Sequence, residues 1–189
     1  MAIRSSRTRS FHLWSANPTD VPGFASIADL VRRASANPLR DITYLVRIAL
    51  YNLLIGNCDA HGKNFSLIYR GTDIALAPFY DLVSTAVYPE LAAKLSMRIG
   101  GEYRVDHIGK AELEGFAKDL GVRTRFVADE LKGLVQTARD AQTEVAALPE
   151  LQEYATLVSS MMDGWAKRVT ISAPILLASR ASHEPRDRS

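Results

Sequence analysis

Leu53-Leu54-Ile55-Gly56-Asn57-Cys58-Asp59-Ala60-His61-Gly62-Lys63-Asn64-Phe65-Ser66, with Leu76-Ala77-Pro78-Phe79-Tyr80-Asp81-Leu82-Val83-Ser84-Thr85 shortly after it, is the stretch that decides the fold. An apolar run stops at Gly56, a polar island holds Asp59, His61, Lys63 and Asn64, and apolar sequence resumes at once. Upstream, Ile42, Leu45, Val46, Ala49 and Leu53 recur at helical spacing, which predicts a buried helix from Leu39 to about Gly56. Ile48, Leu50, Leu54 and Ile55 widen that stripe, so the helix is expected to be enclosed on most sides. Downstream, Phe65–Tyr69 and Ile74–Ala77 read as two short strands around the turn Arg70-Gly71-Thr72-Asp73. Pro78 ends the second strand just before Phe79-Tyr80-Asp81.

Outward from this centre the sequence is mostly helical. Ser26 reads as the cap of a short helix with Ile27, Leu30 and Val31 inward, closed by Asn37-Pro38. A third strand is expected at Lys94–Ile99, stopped by Gly100-Gly101. Lys110–Leu120 reads as a helix ending on Gly121, Val122–Leu148 as a long amphipathic helix, and Pro149–Val169 as another. The expected organisation is an irregular segment over 1–23, one folded unit over 24–177 and a polar tail over 178–189. The expected fold class is mainly α (α+β).

Composition narrows the function classes. The 189 residues carry 23 Lys+Arg against 21 Asp+Glu, a net charge of +2, so no strong field points to nucleic acid or to an anionic membrane. Arg4, Arg7 and Arg9 read as a solvated end rather than a phosphate contact. The single cysteine, Cys58, excludes an internal disulfide framework and any multi-cysteine zinc site, and reads as a small packed side chain. No apolar stretch approaches the ~20 residues of a membrane span. A cytoplasmic protein is expected.

The polar island carries the chemistry. A hairpin doubles the chain back, so Asp59, Asn64 and Asp81 are expected to converge in one pocket. Oxygen donors of this kind suit Mg²⁺, which takes few protein ligands together with phosphate oxygens and water. If the amide and one carboxylate hold the metal, the other carboxylate is left to orient a hydroxyl nucleophile, the parts needed for phosphoryl transfer. Taken singly, Asp59 and Asn64 read equally as turn formers and Asp81 as a cap. A metal-dependent hydrolase built on Asp59, His61 and Asp81 is the weaker alternative, because His12, His107 and His183 lie in unrelated segments.

Together with Tyr88-Pro89-Glu90-Leu91 and Lys94-Leu95-Ser96-Met97-Arg98-Ile99-Gly100-Gly101, these motifs closely resemble the C-terminal lobe of HipA-family serine/threonine kinases, toxins of bacterial toxin–antitoxin modules. The resemblance covers roughly Phe24–Val169. It implies a protein-kinase-like lobe, helical, with a small β-hairpin carrying the catalytic and metal loops. Asp59 then matches the catalytic base, and Asn64 and Asp81 match the Mg²⁺ ligands. His61 and Lys63 would neutralise charge on the phosphate passed from ATP, Lys63 binding the nucleotide alongside Asn64 and Asp81, although His61 reads equally as a structural brace. The implied partners are a protein acceptor, such as an aminoacyl-tRNA synthetase or another translation component, and a small DNA-binding antitoxin. Family members also carry an N-terminal lobe with a phosphate-covering loop and a nucleotide-binding lysine. Here Gly23 is the only glycine before Gly56, and no lysine precedes Lys63. The expectation is a truncated gene. The alternatives are half of a split kinase completed by a separately encoded N-lobe, or a non-catalytic, pseudokinase-like module that binds an antitoxin or a kinase.

Overall fold

The computed structural model describes residues 9–12, 23–85, 88, 94–154, 156 and 163–164. Its elements are strand β1 (Arg9–His12), helices α1 (Phe24–Ala34) and α2 (Pro38–Ile55), strands β2 (Ser66–Arg70), β3 (Asp73–Leu76), β4 (Lys94–Ile99) and β5 (Glu102–Arg104), and helices α3 (Lys110–Asp119) and α4 (Thr124–Ala146). The result is a helical body with two small antiparallel sheets, as the mainly α reading expects. None of the described helices is long and apolar enough to cross a membrane. The expected tail over 178–189, and most of the helix expected to reach Val169, lie outside the described residues; Pro149–Tyr154 forms a 3₁₀ turn rather than the α-helix expected there.

α2 is the axis. Asn37 caps it by accepting the Arg40 N–H at 3.2 Å, and Pro38 occupies the first turn, where its missing donor costs nothing. Ile42, Leu45, Val46, Ala49, Leu50, Leu53 and Leu54 are all buried, so the stripe read from the sequence is the face that packs. Gly56 ends the helix at φ +69°, the left-handed conformation that suits glycine, and the next amide, Asn57 N–H, reaches back to Asn52 O at 2.8 Å. α1, α3 and α4 close around this axis through Ile27, Val31, Leu113, Phe116, Val127 and Leu131. A two-pronged ion pair joins α2 to α4, Arg47 Nε and Nη2 donating to Glu130 at 2.6 and 3.0 Å.

Two local expectations are corrected, and one strand is added. α1 starts at Phe24, not after a Ser26 cap, because Phe24 is already buried edge-on against Phe65 and Phe116, with Gly23 extended before it. Residues 9–12, expected to be irregular, form β1 and pair antiparallel with β2, Arg9 opposite Tyr69 and His12 opposite Ser66. β4 spans Lys94–Ile99 and ends at Gly100-Gly101 as expected; the unexpected part is that the chain reverses there, with φ of +57° and +96°, and returns as β5 alongside β4. The β2–β3 hairpin has the expected register, Arg70 facing Asp73, with Gly71 at φ +66° supplying the residue a tight hairpin turn needs.

The hairpin is tied to the helical body by Asp41, a buried carboxylate on the first turn of α2. Its Oδ2 accepts the Ser35 hydroxyl and the Leu76 N–H, each at 2.7 Å. Ala36 N–H adds a bond to Ile74 O at 2.8 Å. The corner between α1 and α2 thereby fixes β3, and so the level at which the loops on either side of the hairpin emerge.

Candidate functional site

The site is assembled from two loops, one leaving α2 and one leaving β3. Gly62–Asn64 is a single 3₁₀ turn, closed by Asn64 N–H donating to His61 O at 2.9 Å. The residue that follows, Phe65, is 2% exposed and meets both Phe24 and Phe79 edge-on. Phe79 in turn stacks on Tyr44 of α2, with ring centroids 5.1 Å apart. Each loop is therefore anchored by an aromatic ring, and the two anchors touch. Tyr80 adds a polar link, its hydroxyl donating to Lys63 O at 2.8 Å.

This clamp brings Asn64 and Asp81 together, as the hairpin argument expects. Asn64 Nδ2 donates to Asp81 Oδ2 at 2.6 Å. Asn64 Oδ1 stays buried with no hydrogen-bond partner among the described residues. Asp81 is exposed and sits at φ +60°, the only non-glycine in the left-handed region among the described residues. Such a conformation costs of the order of 1 kcal/mol and persists where surrounding bonds impose it.

The chain just beyond Asp81 is tied to the first loop at several points. Ser84 Oγ donates to Ile55 O at 2.7 Å, Thr85 Oγ1 donates to Gly56 O and accepts Cys58 N–H, both at 3.0 Å, and Thr85 N–H also reaches Gly56 O. β4 contributes Ser96, whose N–H and Oγ both donate to Cys58 O, at 3.0 and 2.8 Å.

Asn57 is the residue that sequence reasoning missed. It is 1% exposed, and its side chain uses every hydrogen-bonding atom it has. Oδ1 accepts Asp59 N–H at 3.2 Å, while Nδ2 donates to Asp81 O at 3.0 Å and to Asn52 Oδ1 at 3.1 Å. One amide thus spans the backbones of Asp59 and Asp81, which places both aspartates at the same junction. The available signal was two asparagines, Asn52 inside an apolar stripe and Asn57 just past the helix-ending glycine.

The other expected residues are placed as follows. Asp59 and Lys63 are exposed on the first loop. No hydrogen bond or ion pair engages the Asp59 carboxylate among the described residues. His61 is half-buried, with its Nδ1 buried and unpartnered among the described residues. Among the described residues no group of three or more His, Cys, Asp or Glu is arranged to hold a metal ion, so the alternative centre of Asp59, His61 and Asp81 does not form. An oxygen pair does fit one: Asn64 Oδ1, buried and unsatisfied, beside the Asp81 carboxylate is a donor set suited to Mg²⁺.

Comparison with known proteins matches this architecture to a family. The model of the HipA-like C-terminal domain matches residues 8–142. The match begins upstream of the Phe24 expected from the motifs and takes in β1. A candidate kinase, Y4mE of Sinorhizobium fredii, is 40% identical over 124 residues, which is 66% of this chain and 30% of that protein. The serine/threonine-protein kinase toxin HipA of Shewanella oneidensis is 34% identical over 118 residues, 62% of this chain and 27% of the toxin. The solved complex of the Shewanella oneidensis HipA, HipB and operator DNA superposes with a TM-score of 0.70 at 25% identity, covering 82% of this chain and 38% of the matched chain. The chain thus spans 30% or less of the length of the two curated relatives. It belongs to the HipA-like C-terminal domain family.

Proposed function

We propose that the two loops form the magnesium–triphosphate end of a phosphoryl-transfer site, which passes the γ-phosphate of ATP to a serine or threonine hydroxyl of a protein. One observation carries this reading: Asn64 gives its N–H to Asp81 at 2.6 Å and keeps its buried Oδ1 unpaired. A buried acceptor left unsatisfied costs about 1–3 kcal/mol, a cost that a cation at this position removes.

In this reading Asn64 Oδ1 and the Asp81 carboxylate hold Mg²⁺. When bound, the ion supplies charge neutralisation on the phosphate oxygens. The exposed Asp59 carboxylate accepts the proton of the acceptor hydroxyl as its oxygen bonds to the γ-phosphorus and the bond to the ADP oxygen breaks. Lys63 contributes positive charge at the transferred phosphate, and the unpartnered His61 Nδ1 supplies a further polar contact there. The Shewanella relative was solved with HipB and operator DNA, which supports a small DNA-binding antitoxin as partner of this chain. A translation component such as an aminoacyl-tRNA synthetase is the proposed acceptor, and the cytoplasm, where ATP and such an acceptor meet, is the proposed location.

The test is Mg²⁺-dependent ATP turnover, measured on the chain alone and after mixing with the polypeptide encoded beside it. Asp59→Ala is expected to abolish turnover while sparing metal binding, and Asp81→Ala to abolish both. Equal turnover in wild type and Asp59→Ala overturns the reading. The second reading is a non-catalytic module that binds an antitoxin or a kinase. Partner capture without Mg–ATP binding in either arrangement would establish it.

A further inference from the structure

We propose that Asn57 is the positioning residue that couples the two halves of the site, so that the placement of Asp59 depends on the placement of Asp81. The inference deepens the phosphoryl-transfer reading and rests on it for the roles of the two aspartates. Its geometric basis is independent of that reading. The Asn57 side chain bonds to no carboxylate; its three hydrogen bonds go to the Asp59 N–H, the Asp81 C=O and the Asn52 side chain.

The position demands one acceptor and two donors from a single short side chain, and only asparagine supplies them at this length. The amide has one tenable orientation. Turned over, Nδ2 would face the Asp59 N–H, and Oδ1 would face two acceptors, Asp81 O and Asn52 Oδ1. Asn52 belongs to the buried face of α2, so the amide plane is set from the central helix of the fold. Asp81 sits at φ +60°, where holding its carbonyl fixes the direction of its side chain. A shift of the metal-side loop is thereby transmitted through one planar group to the amide of the proposed base.

Two variants separate coupling from simple support. Asn57→Asp is isosteric and keeps the acceptor for Asp59 N–H, but it loses both donors and turns a charged oxygen toward Asp81 O. Asn57→Ala loses everything. In hydrogen exchange followed by mass spectrometry on the full chain, Asn57→Ala is expected to speed exchange at least tenfold in both 57–63 and 81–85. Asn57→Asp is expected to do so in 81–85 alone, with α3 and α4 unchanged in either variant. Binding of Mn²⁺ alone, read by electron paramagnetic resonance, is expected to weaken at least tenfold in both. Equal loosening of the two loops by both variants, no change in either loop, or a loss of protection in α3 and α4 with Asn57→Asp would overturn the assignment. Failure of the wild type to bind Mn²⁺ defeats the metal reading of Asn64 and Asp81, and the exchange pattern then decides Asn57 by itself.

Discussion

Asn64→Asp tests the central contact more sharply than a deletion, because it turns the shortest attraction in the site into a repulsion. In the wild type an amide hydrogen lies between Asn64 and Asp81 at 2.6 Å. The variant sets two carboxylates at that place. Relaxed to about 4 Å, the pair repels by ~4 kcal/mol at an effective dielectric of about 20, and by ~1 kcal/mol in bulk water. Asp81 is exposed, so the value lies between these limits, and the lost hydrogen bond adds to it. A loss of about 2–4 kcal/mol is expected in chelator at low salt. A domain of ordinary stability, about 5–15 kcal/mol, survives that loss. Asn64→Ala loses only the hydrogen bond, about 1–2 kcal/mol. Urea unfolding of both variants measures the gap. Divalent metal at a hundred times its Kd returns ~2.7 kcal/mol to whichever variant binds it, and this is expected for Asn64→Asp and not for Asn64→Ala. Repulsion raises the carboxyl pKa of the folded variant above its unfolded value. The penalty is therefore present at neutral pH and fades as the pH falls through that raised value. If Asn64→Asp and Asn64→Ala unfold at the same urea concentration in chelator, the two side chains are not in contact and the reasoning fails.

Three further outcomes follow from the fold. A Cβ on Gly100 would lie 1.8 Å from Glu112 O with φ at +57°, so Gly100→Ala is expected to cost ~3 kcal/mol or more, whereas Gly71→Ala, at φ +66° in open space, costs ~1 kcal/mol; paired denaturant melts check the contrast. Asp41→Ala strips the acceptor from Ser35 Oγ and from the buried Leu76 N–H, and a loss of about 2–4 kcal/mol by thermal circular dichroism is expected. Glu102 accepts the backbone N–H groups of Arg104 and Tyr103, which hold its carboxyl below the ordinary range. Its folded pKa is depressed, so the contribution to the β4–β5 turn is present at neutral pH and is lost as pH falls through that lowered value; a carboxyl titration by NMR is expected to show a midpoint below that of Glu102 in the urea-unfolded chain.

What the sequence reveals is whatever depends on neighbours along the chain. The α2 stripe, the Gly56 and Gly121 stops, and the Arg70–Asp73 turn are all local, and each stands where the pattern puts it. The meeting of Asn64 with Asp81 was also within reach, since a hairpin of known register must return to its origin. What escaped depends on distant partners. β1 is a strand because the edge of β2 stands open beside it, and its four residues, Arg9–His12, carry too short an alternation to announce that. β5 escaped because a double glycine reads as a stop until its two positive φ angles show a reversal. The role of Asn57 was illegible for a different reason: two of its partners are backbone atoms, and backbone atoms leave no mark on a sequence.

The clamp around Cys58 makes this protein unusually easy to interrogate. The chain has a single cysteine, immediately before Asp59. Its N–H is held by Thr85 Oγ1 and its carbonyl by Ser96, so its backbone is pinned from both flanks while the side chain is only half-buried. A thiol-directed spin label or fluorophore would therefore attach at one address, on a backbone with little freedom of its own. Its signal would report motion of the surrounding loops without any engineered handle, and alkylation rates at this sulfur would grade how tightly each ligand or partner closes them.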